Sequence, residues 1–408
     1  MIDGLGADPV ERATILIEHG TITSAGPAES VRIPRGAEIL DASGHTVLPG
    51  IIDCHVHCTY RARDIRRHLL NTPTYNILRS TQILEDTLAC GVTTARDMGG
   101  ADHGFRQAVD EGLIAGPRLF VCLVMISQTG GHGDQWVPAG FRIGKRAWLP
   151  DAVADGVDGM RRKVREILMA GADFIKVCTG GGITSITDNW DEPQFSVEEL
   201  RVAVGEAAAR GRRVAAHAEG LEPIRNALKA GVYSIEHGWF LDEECIDTML
   251  RQGTWWIPTL ALVPLSIQRR NADEAWSRQQ MGEEDRKDSE IHERMKGQMH
   301  LWQEAHRRGV KIAMGTDQSH RLLVGENLVE LGFMVKCLGM SSLQAIAAAT
   351  SRAAACLERA DLGAIEAGRA ADLIAVSTDP LVDIESLGKS ENVRLVMKAG
   401  RIYRNELE

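Results

Sequence analysis

Short apolar runs alternate with amphipathic stretches from about residue 50 to residue 355. The runs near 47–53, 92–97, 118–126, 173–178, 213–218, 233–237, 254–260 and 311–316 have strand length and predict eight strands. Between them, Val197–Arg210, Leu221–Ala230 and Asp242–Gln252 carry apolar residues at helical spacing. Several such stretches end at a glycine, as in Ala-Gly-Ala at 170–172 and Ala-Gly-Val at 230–232, where glycine supplies the left-handed residue that closes a helix. Strands that alternate with helices imply parallel βα units, and eight such units close into a (β/α)8 TIM barrel.

The two ends have another rhythm. Ala13–Glu18, Thr21–Ala25, Ile39–Ala42 and His45–Leu48 alternate over short lengths, with a His-Gly turn after Glu18. Gly363–Ile365, Ala371–Val376, Val393–Lys398 and Arg401–Tyr403 repeat that character, with a turn at Gly400. The expected architecture is α/β: a barrel over residues 51–358 and a small β-sandwich domain built from residues 1–50 and 359–408. One connection is long, with roughly fifty residues between the seventh and eighth strands. Val263–Glu284 reads as polar and irregular, and Asp285–Arg308 as a long charged helix. A barrel connection of this length is either a lid over the mouth or a subunit contact.

Composition narrows the partners. Apolar residues make up 44% and charged residues 25%, which supports a packed core. The net charge of −10 speaks against nucleic acid or an anionic membrane as partner, since both reward clustered positive charge. The longest apolar run, Leu119–Ile126, is far short of the roughly 20 residues of a membrane helix. The opening MIDGLGADPVERAT has neither the basic start nor the apolar core of a signal peptide. Eight cysteines without a C-x-x-C pair read as small buried hydrophobes, so a reduced, cytoplasmic protein is expected.

The chemistry concentrates at strand ends. In Pro49-Gly-Ile-Ile-Asp-Cys-His55-Val-His57 the two histidines are two apart on a strand and point to the same side. At the strand's C-terminal end both imidazoles can face the barrel mouth and share one metal ion, for which a neutral ring nitrogen is a donor. His217, His237 and Asp317 end the fifth, sixth and eighth predicted strands, on the face where barrel enzymes keep their active sites. His132, in the glycine-rich loop Ser127-Gln-Thr-Gly-Gly-His-Gly-Asp134, can present an imidazole to a substrate oxygen, and His320 lies three residues past Asp317. Lys176 stands inside an apolar strand, where an ammonium is costly unless lost or paired. It is either carboxylated by CO2, giving a group able to bridge two metals, or salt-bridged to Asp317 or Glu219. Substrate contacts are expected from loops: Tyr60, Arg61 and Arg63 after the His-x-His pair, and Arg269 and Arg270 in the long connection. An arginine there can grip a carboxylate bidentately, or it is solvated or meets a neighbouring subunit.

The set His55-x-His57, Lys176, His217, His237 and Asp317 resembles the amidohydrolase superfamily with a binuclear metal centre. Flanking strings agree: Val47-Leu-Pro-Gly-Ile-Ile-Asp, Gly91-Val-Thr-Thr-Ala-Arg-Asp, Ser234-Ile-Glu-His-Gly and the tail from Leu362-Gly-Ala-Ile-Glu-Ala-Gly-Arg-Ala-Ala-Asp-Leu. The loop Thr129–Asp134 and Phe174-Ile-Lys-Val look like the branch of prolidases and imidazolonepropionase-related enzymes. The resemblance implies that His55, His57 and Asp317 hold one divalent ion and His217 and His237 a second. It also implies that N6-carboxylated Lys176 bridges the two, with zinc the expected metal and manganese or cobalt as substitutes. Asp317 would act as base and then acid, and His132 would steady the oxyanion. The implied substrate is a small amide whose leaving amine is an amino acid: a dipeptide, an N-acyl amino acid or an ochratoxin-type aryl amide. A carbamate, aryl-amide or cyclic-amide hydrolase is the alternative, and a non-catalytic scaffold a more distant one. A homo-oligomer is expected by the same resemblance. One departure stands out: prolidases of this branch follow the fifth-strand histidine with Ala-Tyr, whose tyrosine takes the substrate carboxylate. Here the string is His217-Ala-Glu219-Gly220, and a glutamate repels a carboxylate.

Overall fold

The computed structural model describes residues 1–59, 71–134, 136–137, 140–142, 149–185, 188–272, 283–319, 322 and 324–407. Its centre is an α/β barrel. The strands are Ile51–Val56, Val92–Asp97, a third in two pieces (Arg118–Val121 and Met125–Ile126), Ile175–Cys178, Val214–Ala218, Ser234–His237, Trp255–Ile257 and Lys311–Ile312. Neighbours pair in parallel around the ring, with Ile51 opposite Val92, Thr94 opposite Arg118, Lys176 opposite both Met125 and Ala215, and Ser234 opposite Trp255.

The third strand departs from the continuous run expected over 118–126. Leu123 sits at φ 69° and breaks the ladder, so Arg118–Val121 pairs with strand two and Met125–Ile126 with strand four. The eighth strand is also shorter than its apolar run, and beyond Ile312 the chain closes the ring by bonding to strand one. Cys54 N–H donates to the Met314 carbonyl (2.9 Å), Asp317 N–H to His55 O (2.7 Å) and His57 N–H to Gln318 O (2.8 Å).

Buried Asp53 clips this seam. One oxygen accepts from the backbone of His55 (3.0 Å) and Thr316 (3.1 Å), the other from Thr316 Oγ1 (2.6 Å) and Asn327 Nδ2 (2.9 Å). At Gly315 a Cβ would lie 2.3 Å from Ile257 and 2.8 Å from the His55 Cβ, so only glycine lets the eighth strand approach this closely.

Amphipathic helices cover the ring. Val197–Ala208 opens with a reciprocal cap between Ser196 and Glu199, as Ser342–Ala348 does between Ser341 and Gln344. The small domain is a sandwich of a hairpin, Ala13–Glu18 with Thr21–Pro27, and an antiparallel sheet ordered Arg401–Asn405, Val393–Lys398, Leu373–Val376, Thr46–Pro49. Ile22, Leu373 and Met397 are buried between the layers against Ile15, Ile17 and Val47. Both hairpin turns take left-handed pairs, His19-Gly20 and Ala399-Gly400, which match the strand twist.

Two expected end strands are absent. Ile39–Ala42 is irregular, with Ile39 74% exposed, and Gly363–Ile365 is a bend without strand pairing, whose Ile365 N–H bonds to Asp3 O (2.9 Å). The long connection differs too. Leu262–Ala272 is a helix rather than an irregular segment, because it has a second helix, Glu283–Arg307, to pack on. All eight cysteines are free thiols, seven of them buried. No helix among the described residues is long and apolar enough to cross a membrane.

Asp53→Asn should lower the unfolding free energy by about 1–3 kcal/mol, because its amide would point a donor at the Asn327 amide or the Thr316 hydroxyl. Urea denaturation of the two proteins measures this, and an unchanged midpoint would mean the seam holds without the carboxylate.

Candidate active site and metal centre

Four strand ends deliver five side chains to one mouth. His55 and His57 leave strand one on the same side, and Asp317 meets them across the seam: its Oδ1 lies 3.3 Å from His57 Nε2 and 3.6 Å from His55 Nε2. His217 and His237 come from strands five and six with ring centroids 4.8 Å apart, and His237 lies 4.9 Å from His55. The chain turns sharply where these residues emerge. His237 and Asp317 have φ of 69° and 56°, and Thr259, beyond strand seven, has 47°. Non-glycine residues adopt this region at a cost, which the surrounding hydrogen bonds must hold.

Each ring is oriented by the nitrogen that faces away. His55 Nδ1 bonds Glu236 Oε2 at 2.9 Å, and Glu236 is held in turn by Arg96 (2.9 Å) and Ser234 (2.6 Å). His57 Nδ1 donates to Gly99 O (2.9 Å), and His237 Nδ1 meets Thr259 Oγ1 (2.7 Å). His217 is turned the other way, with Nε2 donating to Gly181 O (2.9 Å), which leaves Nδ1 as its lone-pair nitrogen. Support of this kind fixes tautomer and aim in metal sites.

Burial, followed by neighbouring positive groups, holds the pKa of His55, His217 and His237 well below the ordinary histidine value. Burial pulls His57 down as well, but the adjacent Asp317 carboxylate outweighs it and raises the net value. Burial pushes Asp317 up, and the flanking His57 and His55 more than reverse this, leaving the carboxyl well below the usual range. At the mouth His55, His217 and His237 are therefore held towards the neutral, ligating imidazole and Asp317 towards the ionised carboxylate, while His57 is held towards its protonated form by that carboxylate.

Among the described residues two groups of donor atoms are close enough to hold a cation: His55, His57 and Asp317, and His217, Glu219 and His237. Lys176 is 1% exposed, and its Nζ has no hydrogen-bond partner among the described residues, so the salt bridge to Asp317 or Glu219 is not formed. Burial lowers its pKa, and its charge bears on His55, His217, His237 and Asp317 alike. An orphaned amine among ligand-form side chains fits a centre for divalent ions.

His132 stacks on His217 at 4.3 Å, nearly parallel at 14°, and its Nδ1 meets Ser185 Oγ at 2.6 Å. Arg269 already has a carboxylate partner in Glu326, and Arg270 reaches Ser289 (3.1 Å) on the long helix. The first contact ties the connection to the segment after strand eight, and the second ties its two helices to each other. Tyr60, Arg61, Arg63 and His320 lie outside the described residues.

Sequence reasoning did not single out Glu236, Thr259 or Ser185. Glu236 adjoins His237 in Ser-Ile-Glu-His, and a charged residue in a buried strand was its available signal. Thr259 and Ser185 carry no such signal.

An α/β barrel whose strand ends converge on four histidines and a carboxylate is the architecture of a barrel hydrolase. The chain belongs to the Amidohydrolase family, whose profile matches residues 46–403, and it is a hydrolase of amide bonds. It is 32% identical over 426 aligned residues to ochratoxinase of Aspergillus niger, covering 99% of this chain and 85% of that protein. The crystal structure of A. niger ochratoxinase superposes with a TM-score of 0.83 at 29% identity, covering 99% of this chain and 94% of the other. A Xaa-Pro dipeptidase with methionine bound in its active site gives 0.85 at 31% identity (96% and 95% covered). A prolidase complexed with N-methylphosphonate-L-proline gives 0.85 at 31% identity (96% and 94% covered).

Glu236→Gln should weaken divalent-ion binding by about 10–100-fold by loosening His55. Titration of zinc into chelator-treated protein measures this; equal affinity in the two proteins would show that Glu236 does not support the ligand.

Proposed function

We propose that this protein is a binuclear metal-dependent amidohydrolase that releases an amino acid from an amide: a dipeptide, an N-acyl amino acid or an aryl amide of the ochratoxin type. The reading rests chiefly on one observation, the gathering of four histidines, Asp317 and an unpartnered buried lysine amine at one barrel mouth. The relatives support the substrate class, since ochratoxinase and the dipeptidases are named for amide-bond substrates.

His55, His57 and Asp317 would hold one ion and His217 and His237 the other. Lys176 would link them after its neutral amine adds to CO2, forming an N–C bond and releasing a proton. Bound divalent ions, zinc in first place, lower the pKa of water towards neutrality and polarise a carbonyl. The protein's own groups do the rest. His132 presents Nε2 to the carbonyl oxygen and steadies the charge that develops there. Asp317 takes the proton of the attacking hydroxide and delivers it to the leaving nitrogen, acting first as base and then as acid.

Glu219 favours a second reading for the leaving group. It is 2% exposed and sits with its carboxylate 3.8 Å from His217 Nε2, a poor place for another carboxylate. Aryl amides or carbamates without that charge suit it better. Turnover of Xaa-Pro dipeptides, N-benzoyl-L-phenylalanine, ochratoxin A and N-aryl carbamates, compared side by side, separates the two readings.

Chelation should abolish hydrolysis, and re-addition of zinc should restore it with about two ions per chain. Lys176→Ala should lose metal and activity together, with partial rescue by short carboxylates. If this variant keeps both ions and full rate, the bridge is wrong. Asp317→Asn should cut kcat by about 10²–10⁴ while most metal stays bound, and an unchanged rate would remove Asp317 from proton transfer.

A further inference from the structure

The helix Glu283–Arg307 belongs to the connection between strands seven and eight, yet its N-terminal end docks on the loop that follows strand four. Lys287 is 8% exposed, and its Nζ donates to the carbonyls of Ser185 (3.1 Å) and Asp188 (2.9 Å), about a hundred residues away in the chain. Both acceptor residues lead to His132. Ser185 Oγ meets the imidazole Nδ1 at 2.6 Å. Asp188 Oδ2 accepts from Gln194 Nε2 (2.7 Å), and Gln194 Oε1 accepts the backbone N–H of His132 (3.2 Å). Asp188 Oδ1 also accepts Gly182 N–H (3.1 Å), and at Gly182 a Cβ would fall 2.3 Å from the His132 ring, so the loop presses on the imidazole from that side. Further along, the helix is fixed by Arg294 over the Trp190 ring (4.6 Å) and by Trp302 Nε1 donating to Trp239 O (2.8 Å).

We propose that Lys287 is a positioning residue for His132: by pinning the carbonyls of Ser185 and Asp188 it holds both the ring and the backbone of that histidine, so the insertion sets the aim of the imidazole over the centre. With the Ser185 O–H donating to Nδ1, the ring proton sits on Nε2, the donor that the proposal aims at the carbonyl oxygen. An ammonium suits the pin because two carbonyl oxygens at one point need a multiple donor, and its stem is covered by the loop. This inference rests on the assignment of His132 to the substrate oxygen.

The test is a double-mutant cycle in the zinc-loaded full chain, with N-benzoyl-L-phenylalanine and ochratoxin A as substrates and metal content measured throughout. His132→Ala should lower kcat by about 10²–10³-fold. Lys287→Met and Ser185→Ala should each lower kcat about tenfold, with KM and two bound ions per chain retained, and Ser185→Thr should recover part of the loss. In the His132→Ala background Lys287→Met should cost nothing further, since residues acting through one another do not add. A full tenfold loss in that background, or a loss of metal in Lys287→Met, overturns the positioning role. So does wild-type kcat in both Lys287→Met and Ser185→Ala. Should Lys287→Met fold poorly, the Ser185→Ala arm of the same cycle decides, because it removes one hydroxyl and nothing else. Full turnover in His132→Ala with both substrates would instead sink the underlying assignment of His132, a result distinct from failure of the relay.

Discussion

The seam between the first and eighth barrel strands is the constraint on which the site depends. His55 and His57 leave one edge of that seam and Asp317 the other, so their approach to 3.3–3.6 Å exists only while the ring is closed. The regular ladder of the eighth strand spans just Lys311–Ile312, too short to secure closure by itself. Single bonds from residues 54–57 to residues 314–318 and the four-donor clip of Asp53 supply the remainder. Structure and chemistry share these few residues. The left-handed turn at Asp317 is tolerable because its N–H is tied to His55 O, and that bond is part of the seam.

Closure also removes water, and desolvation sorts the protonation states. Imidazoles lose less than carboxylates or ammonium groups when transferred neutral, so His55, His217 and His237 stay uncharged while Asp317 keeps its charge among them. Lys176 is the exception that the interior does not accommodate. Arg96, comparably deep, is matched by Glu236 at 2.9 Å, whereas the lysine amine has no bonded partner among the described residues. Burial disfavours the charged form of such an amine and lowers the pKa of Lys176 from the ordinary lysine value. The same desolvation lowers the pKa of these three histidines and of the lysine.

Much of this was legible in the sequence, for a physical reason. A barrel strand buried on both faces is written almost wholly in apolar letters, so the few polar residues at its C-terminal end stand out. His217 after Val-Ala-Ala, His237 after Ser-Ile-Glu and Asp317 after Ala-Met-Gly-Thr all carry that signature. What escaped the reading depends on tertiary pairing. Leu119–Ile126 looks continuous because a left-handed Leu123 leaves no trace in hydropathy. Ile39–Ala42 alternates like a strand but finds no neighbour and lies exposed. Residues 262–272 read as irregular because their own amphipathy is weak; the partner helix at 283–307 makes them helical. The role of Glu236 is hidden because adjacent strand residues point to opposite sides, and Glu236 serves His55 on another strand rather than its neighbour His237.

The residues proposed to hold ions and those proposed to face the substrate are held by different parts of the chain. His55, His57, Lys176, His217 and His237 lie on barrel strands or at their ends, where parallel ladders and buried partners hold them. His132, Ser185 and Gln194 lie on loops, and their geometry is imposed from outside the barrel by the long helix through Lys287, Arg294 and Trp302. Loops tolerate change far better than strands. A chain built this way can alter which amide it accepts by altering the connection after strand seven or the residue at position 219, without moving the groups suited to hold the ions. The sequence follows that pattern: it keeps the histidine, lysine and aspartate positions of the family resemblance and departs from the prolidase string at Glu219, two residues beyond His217.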